Sequence, residues 1–328
     1  MEGTGGEGSG AKSLSEVLLE VGRSAENVFY AFIELMSDTL GFKVNKDTKK
    51  NVVGEYFNRL GGKLGEASGE LEKVANKATL GVNKSDESKN AIRIAVDAAK
   101  EVLSLFKTHL ESLKDIGDDN VVGEAVNNAG QGTAADETEL KKAYKALKGI
   151  VDTSVEKGVA RPKAGDIAVK VDNADNKDGA KVLAAGANAG AAVGEKAAAI
   201  VSSVSGEEIL ASIVNSQEGD ATGNTGQANA NTSALKFAKG DSTVANLAQE
   251  AAKAAAVAGG IALRSLVKGG KLAANNNDDD KVVKAVGISA VNKLLEAVEE
   301  IVKKTVKNVL EKVKQEVDKV RDLKAAGK

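Results

Sequence analysis

Toward the C-terminus, Ile288, Val291, Leu295, Val298, Val302, Val306, Val309, Val313, Val317 and Val320 follow one another at steps of three or four. Only an α-helix turns that period into one continuous apolar stripe, so the pattern predicts a single long helix over residues 285–324. Off the stripe, eleven Lys/Arg stand against seven Asp/Glu between Lys281 and Lys324, and Glu299→Lys303 and Glu300→Lys304 have the favourable i,i+4 order. At about 1.5 Å per residue the striped part runs roughly 50 Å, which makes it the spine of an elongated bundle. Such a stripe is stable only where another helix covers it. Leu14, Val17, Leu18, Val21, Ala25, Val28, Phe29, Phe32 and Leu35 repeat the spacing up to Gly41, so a helix over 13–40 is the expected partner. Pairing the two puts both termini at the same end.

The intervening chain carries further helical patterns. Val53, Tyr56, Phe57, Leu60, Leu64, Leu71, Val74 and Ala78 form one, which Gly61, Gly62, Gly65 and Gly69 are expected to bend or break. Another follows the N-cap residues Ser85/Asp86, with Ile92, Val96, Ala99, Leu103, Phe106, Leu110 and Leu113 on one face and Gly117 as its stop. After a polar loop over 118–135, Asp136 and Glu139 make a capping pair ahead of Leu140, Tyr144, Leu147 and Val151. Arg161-Pro162 and the tract 172–179 are irregular. Within the Ala/Gly/Val-rich stretch 180–201, Gly186, Gly190 and Gly194 stand four apart, a spacing that lets helix backbones approach closely. Ser205 and Glu208 form a capping box before Ile209, and 215–243, rich in Asn, Gly, Thr and Ser, is the strongest loop signal and the expected most mobile segment. An Ala-rich helix over 244–274 then runs to Gly269-Gly270, with the block 261–274 largely covered and Arg264, Lys268 and Lys271 at an edge.

These patterns give an all-α fold, an elongated helical bundle with a loop-rich end away from the paired terminal helices. Residues 1–12 read as a flexible tether and 13–328 as one domain, in which 13–117 and 281–324 are the frame and 118–280 an Ala/Gly-rich middle. Composition sharpens this picture. Eight of nine aromatics lie before residue 145, with no Trp, no Cys and one Pro, so there is little bulky material for a second core. A net charge of −2 and the absence of a basic, aromatic-interleaved patch argue against nucleic acid as a partner. Without Cys there are no disulfides or thiolate metal sites, and no run approaches the ~18 to 20 apolar residues of a membrane span.

Candidate chemistry is thin. Gly3-Thr-Gly-Gly-Glu-Gly8 spells a dinucleotide fingerprint without the strand before it or the helix after it. The tract 172–179 puts Ala174 and Ala185 where a calcium loop needs its first and last carboxylates. His109, the sole histidine, reads as a core-edge residue, and the Glu299/Glu300 pair as a solvated face. No residue is nominated as catalytic, cofactor-binding or metal-ligating, and the chain is read as no enzyme.

A resemblance goes further than these patterns. Ser15-Glu-Val-Leu-Leu-Glu-Val-Gly-Arg-Ser24, Val28-Phe-Tyr-Ala-Phe-Ile33, Gly61-Gly-Lys-Leu64, Val201-Ser-Ser-Val-Ser-Gly-Glu-Glu-Ile-Leu210 and Ile261-Ala-Leu-Arg-Ser-Leu-Val-Lys-Gly-Gly-Lys-Leu-Ala-Ala274 occur together in one chain. In this combination it resembles the variable large protein surface lipoproteins of relapsing-fever spirochaetes, related to the Lyme spirochaete's VlsE antigen. The resemblance implies a lipid-anchored antigen on the extracellular face of the outer membrane, with antigenic variation as its task, host antibodies as its partners and no catalysis. It also implies a monomer or weak dimer, and an N-terminal lipidated cysteine that this sequence lacks, Met1 being expected just after the anchor. An adhesin for a host protein, glycan or blood cell is the alternative, for which Tyr144 and Phe237 are the only candidate contact aromatics near the loops.

Overall fold

Several helix starts among the described residues are written in side-chain caps. Ser13 accepts from the Glu16 N–H while the Glu16 carboxylate takes the Ser13 N–H, a full capping box that opens α1, Leu14–Leu19. Ser24 does half of this for α2, Ala25–Leu35, and Asp136 for α5, Glu137–Glu156. Ser205 and Glu208 close the second box, at the head of α7, Gly206–Val214, as their spacing predicts.

The computed structural model describes residues 12–20, 24–79, 87–126, 130–171, 174–275 and 277–326. The tether up to residue 11, with its fingerprint-like glycines, and the Ser85/Asp86 cap lie outside the described residues. The chain is all-α. Besides α1, α2, α5 and α7, the described residues form α3 (Lys50–Thr79), α4 (Glu87–Glu111), α6 (Gly194–Ser202), α8 (Ala234–Lys239), α9 (Val244–Leu247), α10 (Ala254–Leu266) and α11 (Asn277–Ala326). A two-residue antiparallel pair, Lys170–Val171 with Ala174–Asp175, and 3-10 turns at Lys177–Leu183 and Glu218–Thr222 complete them.

The contacts divide the chain into two compact units. One gathers the described residues of 1–38, 63–104 and 306–328, so both ends of the chain fall within it. Leu18, Val28, Phe32, Leu64, Leu71, Val96, Leu103, Val306 and Val313 are buried there, and the Lys307 ammonium lies 5.7 Å from the centre of the Phe29 ring. That contact joins the first periodic segment to the spine. Polar ties join its helices: Ser15 donates its hydroxyl to Glu70 at 2.8 Å, and Arg93 and Lys100 both reach Glu72. The segment 13–40 is two helices rather than one, because Glu20 is extended and Ser24 starts a new helix.

The other unit holds residues 39–62 and 105–305. Here α8 and α7 pack on the apolar α10, every residue of which is buried. Four sequence expectations change. The helix at 50–79 is continuous despite its glycines, for a physical reason at two of them. A side chain at Gly54 would collide with the Lys114 carbonyl, and one at Gly61 would press on the Lys107 carbonyl, so these glycines admit a neighbouring segment instead of breaking the helix. Gly186 and Gly190 do not line a helix face: both have positive φ, 73° and 77°, and turn a loop ahead of α6. The helix expected over 244–274 is divided into α9 and α10 by a break at 248–253, and after Leu266 the chain turns at 267–270 and runs on extended. The stretch 215–243 is not a single loop, since α8 forms in it and Leu235 and Phe237 are wholly buried.

The stripe of α11 is buried from Val291 onward, whereas Ile288, its first predicted member, is half-buried. Val291, Leu295, Val298, Val302, Val306, Val309, Val313, Val317 and Val320 are all buried. Val302→Asp places an unpaired carboxylate in that seam and is expected to destabilise by about 3 kcal/mol or more in urea denaturation.

Candidate functional site

Beyond Leu266 the chain is extended and its backbone is used on every side. Thr133 and Lys271 exchange both backbone hydrogen bonds, at 3.0 Å each. The Leu272 N–H donates to Glu124 and its carbonyl accepts from Val126, while the Ala273 N–H donates to Val182. The bulkiest fully buried side chain among the described residues lies beside this strand-like run: Arg264, 0% exposed. Its Nε donates to the Ala238 carbonyl at 2.6 Å, Nη1 to Ala184 at 3.0 Å and Lys271 at 3.5 Å, and Nη2 to Leu183 at 3.1 Å. One guanidinium thereby holds three separate segments, and every acceptor is a main-chain carbonyl.

The same grammar recurs. Lys50, also 0% exposed, donates to the carbonyls of Val267 at 3.1 Å and Gly270 at 2.6 Å. Asp118 accepts the Gly269 N–H at 2.8 Å from the same turn. Lys293 donates to the carbonyls of Val201 and Val204 at 2.8 and 2.6 Å. Buried Asp279, on α11, accepts the N–H groups of Val193, Gly194 and Asn275, which puts a carboxylate at the positive end of α6. Asn292 both accepts from and donates to the backbone of Val44, at 2.8 and 3.0 Å. Glu299 takes the Gly41 N–H at 3.0 Å together with the Tyr56 hydroxyl at 2.5 Å.

Burial dominates the electrostatics. It pulls the Lys50 ammonium down to about 8, against the opposing pull of Asp118 and Glu124, and the Arg264 guanidinium down to about 9. Both remain cations near neutral pH. For Asp118, burial raises the carboxyl, but the Gly269 N–H, the Lys50 charge and Asn120 outweigh it and hold it below the usual range. Burial and the Glu299 carboxylate together raise the Tyr56 phenol, keeping it a neutral donor.

What these clamps leave outside is small and polar. Asn188, Ala191, Ala192, Thr225, Gln227, Ala230 and Asn231 are exposed, while Ala184, Val193, Ala221, Thr232, Ala238 and Gly240 beside them are buried. The structure corrects three site readings. Arg264 is at the centre and not at an edge. Glu299 is 5% exposed and hydrogen-bonded rather than solvated, although Glu300 is exposed and Lys303 pairs with both. Tyr144 and Phe237 are buried at 7% and 0%, so neither offers an aromatic contact. His109 does sit at a core edge, against Gly149, with its pKa lowered by burial against a weaker upward pull from Asp152. Among the described residues no group of three or more His, Asp or Glu is placed to hold a metal ion, and no single helix is long and apolar enough to cross a membrane.

Comparison with known proteins places this arrangement. A profile of the Borrelia lipoprotein family matches residues 25–317. The chain is 69% identical to Variable large protein 25 of Borrelia hermsii over 320 residues, covering 97% of this chain and 88% of that one. It is 31% identical to Variable large protein 14 of the same organism, covering 93% and 84%. The crystal structure of the Lyme disease variable surface antigen VlsE of Borrelia burgdorferi superposes with a TM-score of 0.67 at 26% identity, covering 89% of this chain and 97% of that one.

The clamps make two stability predictions. Arg264→Met strands the carbonyls of Leu183, Ala184 and Ala238 and is expected to cost about 3 kcal/mol or more, read from the urea midpoint. Lys50 has a folded pKa near 8 and an unfolded one near 10.4, so between these the unfolded state binds more protons and this group's contribution makes stability rise with pH. Relative to Lys50→Met, the parent chain should gain about 2 to 3 kcal/mol from pH 8 to pH 10. Parallel pH profiles would show that Lys50 is not desolvated.

Proposed function

The chain belongs to the Borrelia lipoprotein family, and from that premise we propose that it is an outer-membrane surface antigen whose exterior varies between versions to evade host antibodies. It performs no catalysis, and antibodies are its functional partners.

The main-chain clamps carry this reading. Every residue type presents the same N–H and C=O, apart from proline's missing donor, so an anchor that grips only backbone is indifferent to the side chains of the segment it grips. Arg264, Lys293 and Asp279 hold 183–184, 201–204, 238 and 193–194 in this manner. Their exposed neighbours can therefore change at about ±0.5 kcal/mol each while the backbone path persists. The comparisons are consistent with this: VlsE keeps the fold at 26% identity. An antibody covers about 800 Å² of its target, so a few coordinated changes in such segments suffice to remove an epitope.

Two antibody measurements test it. Antibodies raised against the native chain should lose a substantial share of binding when Thr225, Gln227 and Ala230 are replaced together, with the melting temperature unchanged. Undiminished binding after such replacement in each exposed segment in turn would oppose the reading. Antibodies raised against a peptide of residues 261–274 should recognise the denatured chain far better than the native one, since Ile261, Leu263, Arg264 and Leu272 are wholly buried. Equal recognition would contradict the covering of that block.

A further inference from the structure

Gly186, Ala187 and Gly190 share with Gln131, Val244 and Ala245 an open depression of about 440 Å³. Three stretches remote in sequence meet there, and main-chain bonds hold them together. The Gly186 N–H donates to Gly132 at 2.8 Å, the Gly132 N–H to Ala187 at 3.0 Å and the Ala185 N–H to Asp241 at 3.0 Å. From inside, Arg264 grips the neighbouring carbonyls of Ala184 and Ala238. Both glycines turn through positive φ, and a side chain at either would meet nothing within 4 Å, so the turns leave that part of the lining bare. Charge is scarce as well. In a chain with 28% charged residues, Lys181 is the one charged lining residue among the described residues, and Asp178 holds its ammonium at 2.6 Å. What faces outward is peptide, methyl groups and the amides of Gln131 and Asn188.

We infer that this depression is the centre of a discontinuous epitope, built from residues 131, 186–190 and 244–245 together, which receives an aromatic side chain of an antibody loop. The inference rests on the antigenic reading and gives it a site. A tyrosine ring gains contact area on methyl and peptide surface, and its hydroxyl finds amide partners there. A charged side chain would lose hydration without meeting a free counter-ion. Antibody loops are rich in tyrosine, which combines an apolar ring with a polar tip at little entropic cost. No single stretch forms the lining, so a peptide of any one of them presents one wall without the others.

The test is a panel of monoclonal antibodies raised against the native full chain and sorted by loss of binding to Ala245→Arg, which fills the depression with a charge. Antibodies lost there should also weaken by about tenfold or more on Gln131→Lys and on Ala187→Arg, with the melting temperature unchanged. They should bind none of three peptides covering 130–136, 181–192 and 239–249. Alanine replacement of the aromatics in their binding loops should find one that costs about tenfold or more. Gln131 and Ala245 are exposed, so their two variants carry the test even if Ala187→Arg lowers the melting temperature. No antibody sensitive to Ala245→Arg, sensitivity to it without sensitivity to Gln131→Lys, tight binding to one of the peptides, or loops whose aromatics are all dispensable would each overturn the proposal. The antigenic reading is judged separately, by replacement at Thr225, Gln227 and Ala230, and stands or falls on its own result.

Discussion

A guanidinium carries five donors and cannot shed its charge at physiological pH, so it enters a protein interior only where acceptors are already arranged around it. Arg264 meets that condition with carbonyls from two segments that are remote in sequence and from its own following strand. The constraint runs both ways: the carbonyls of Leu183, Ala184 and Ala238 need donors as much as the arginine needs acceptors. Once the apolar α10 is buried, the paths of 183–184 and 238–240 past its C-terminal turn are fixed by this fork. Lys50 and Asp118 extend the same logic to the turn at 267–270, gripping its carbonyls and its N–H respectively.

Holding chain by backbone separates path from surface. A clamp that read side chains would tie each surface residue to an interior partner, and every exchange would cost a hydrogen bond. Here Arg264, Lys50 and Lys293 hydrogen-bond only to peptide carbonyls, so an exposed Thr225 or Ala191 has no partner among them to offend. This is what the proposed variable exterior on a constant frame requires, and it gives a reason for the charged residues buried in a unit whose core is otherwise apolar.

Much of this was legible in the sequence, and the failures share a cause. The stripe on α11, the capping boxes at Ser13 and Ser205, the Asp136 cap and the covering of 261–274 follow from periodicity and cap chemistry, which are local. The helix start at Ser24 is also a local signal, a cap residue set inside an otherwise continuous apolar pattern. The burial of Arg264 and Glu299 is not legible, because charge argues for solvent until the partners are known, and their partners lie up to 81 and 258 residues away. Peptide carbonyls carry no sequence signal at all. The loop at Gly186 and Gly190 is hidden for a related reason, since four-residue spacing is shared by helix faces and by loops that turn twice through positive φ.

Backbone clamps hold the surface segments independently of their side chains. Amide hydrogen exchange on a chain with Asn188, Ala191, Ala192, Thr225, Gln227 and Ala230 all replaced tests it most directly. The reporters are the N–H groups of Ala185, Gly240 and Ala273, which donate to Asp241, Lys236 and Val182 around Arg264. Protection at these three equal to that of the parent chain is the predicted result. A loss of about tenfold or more there, with the amides of 291–302 still protected, would show that the side chains and not the clamps hold these segments.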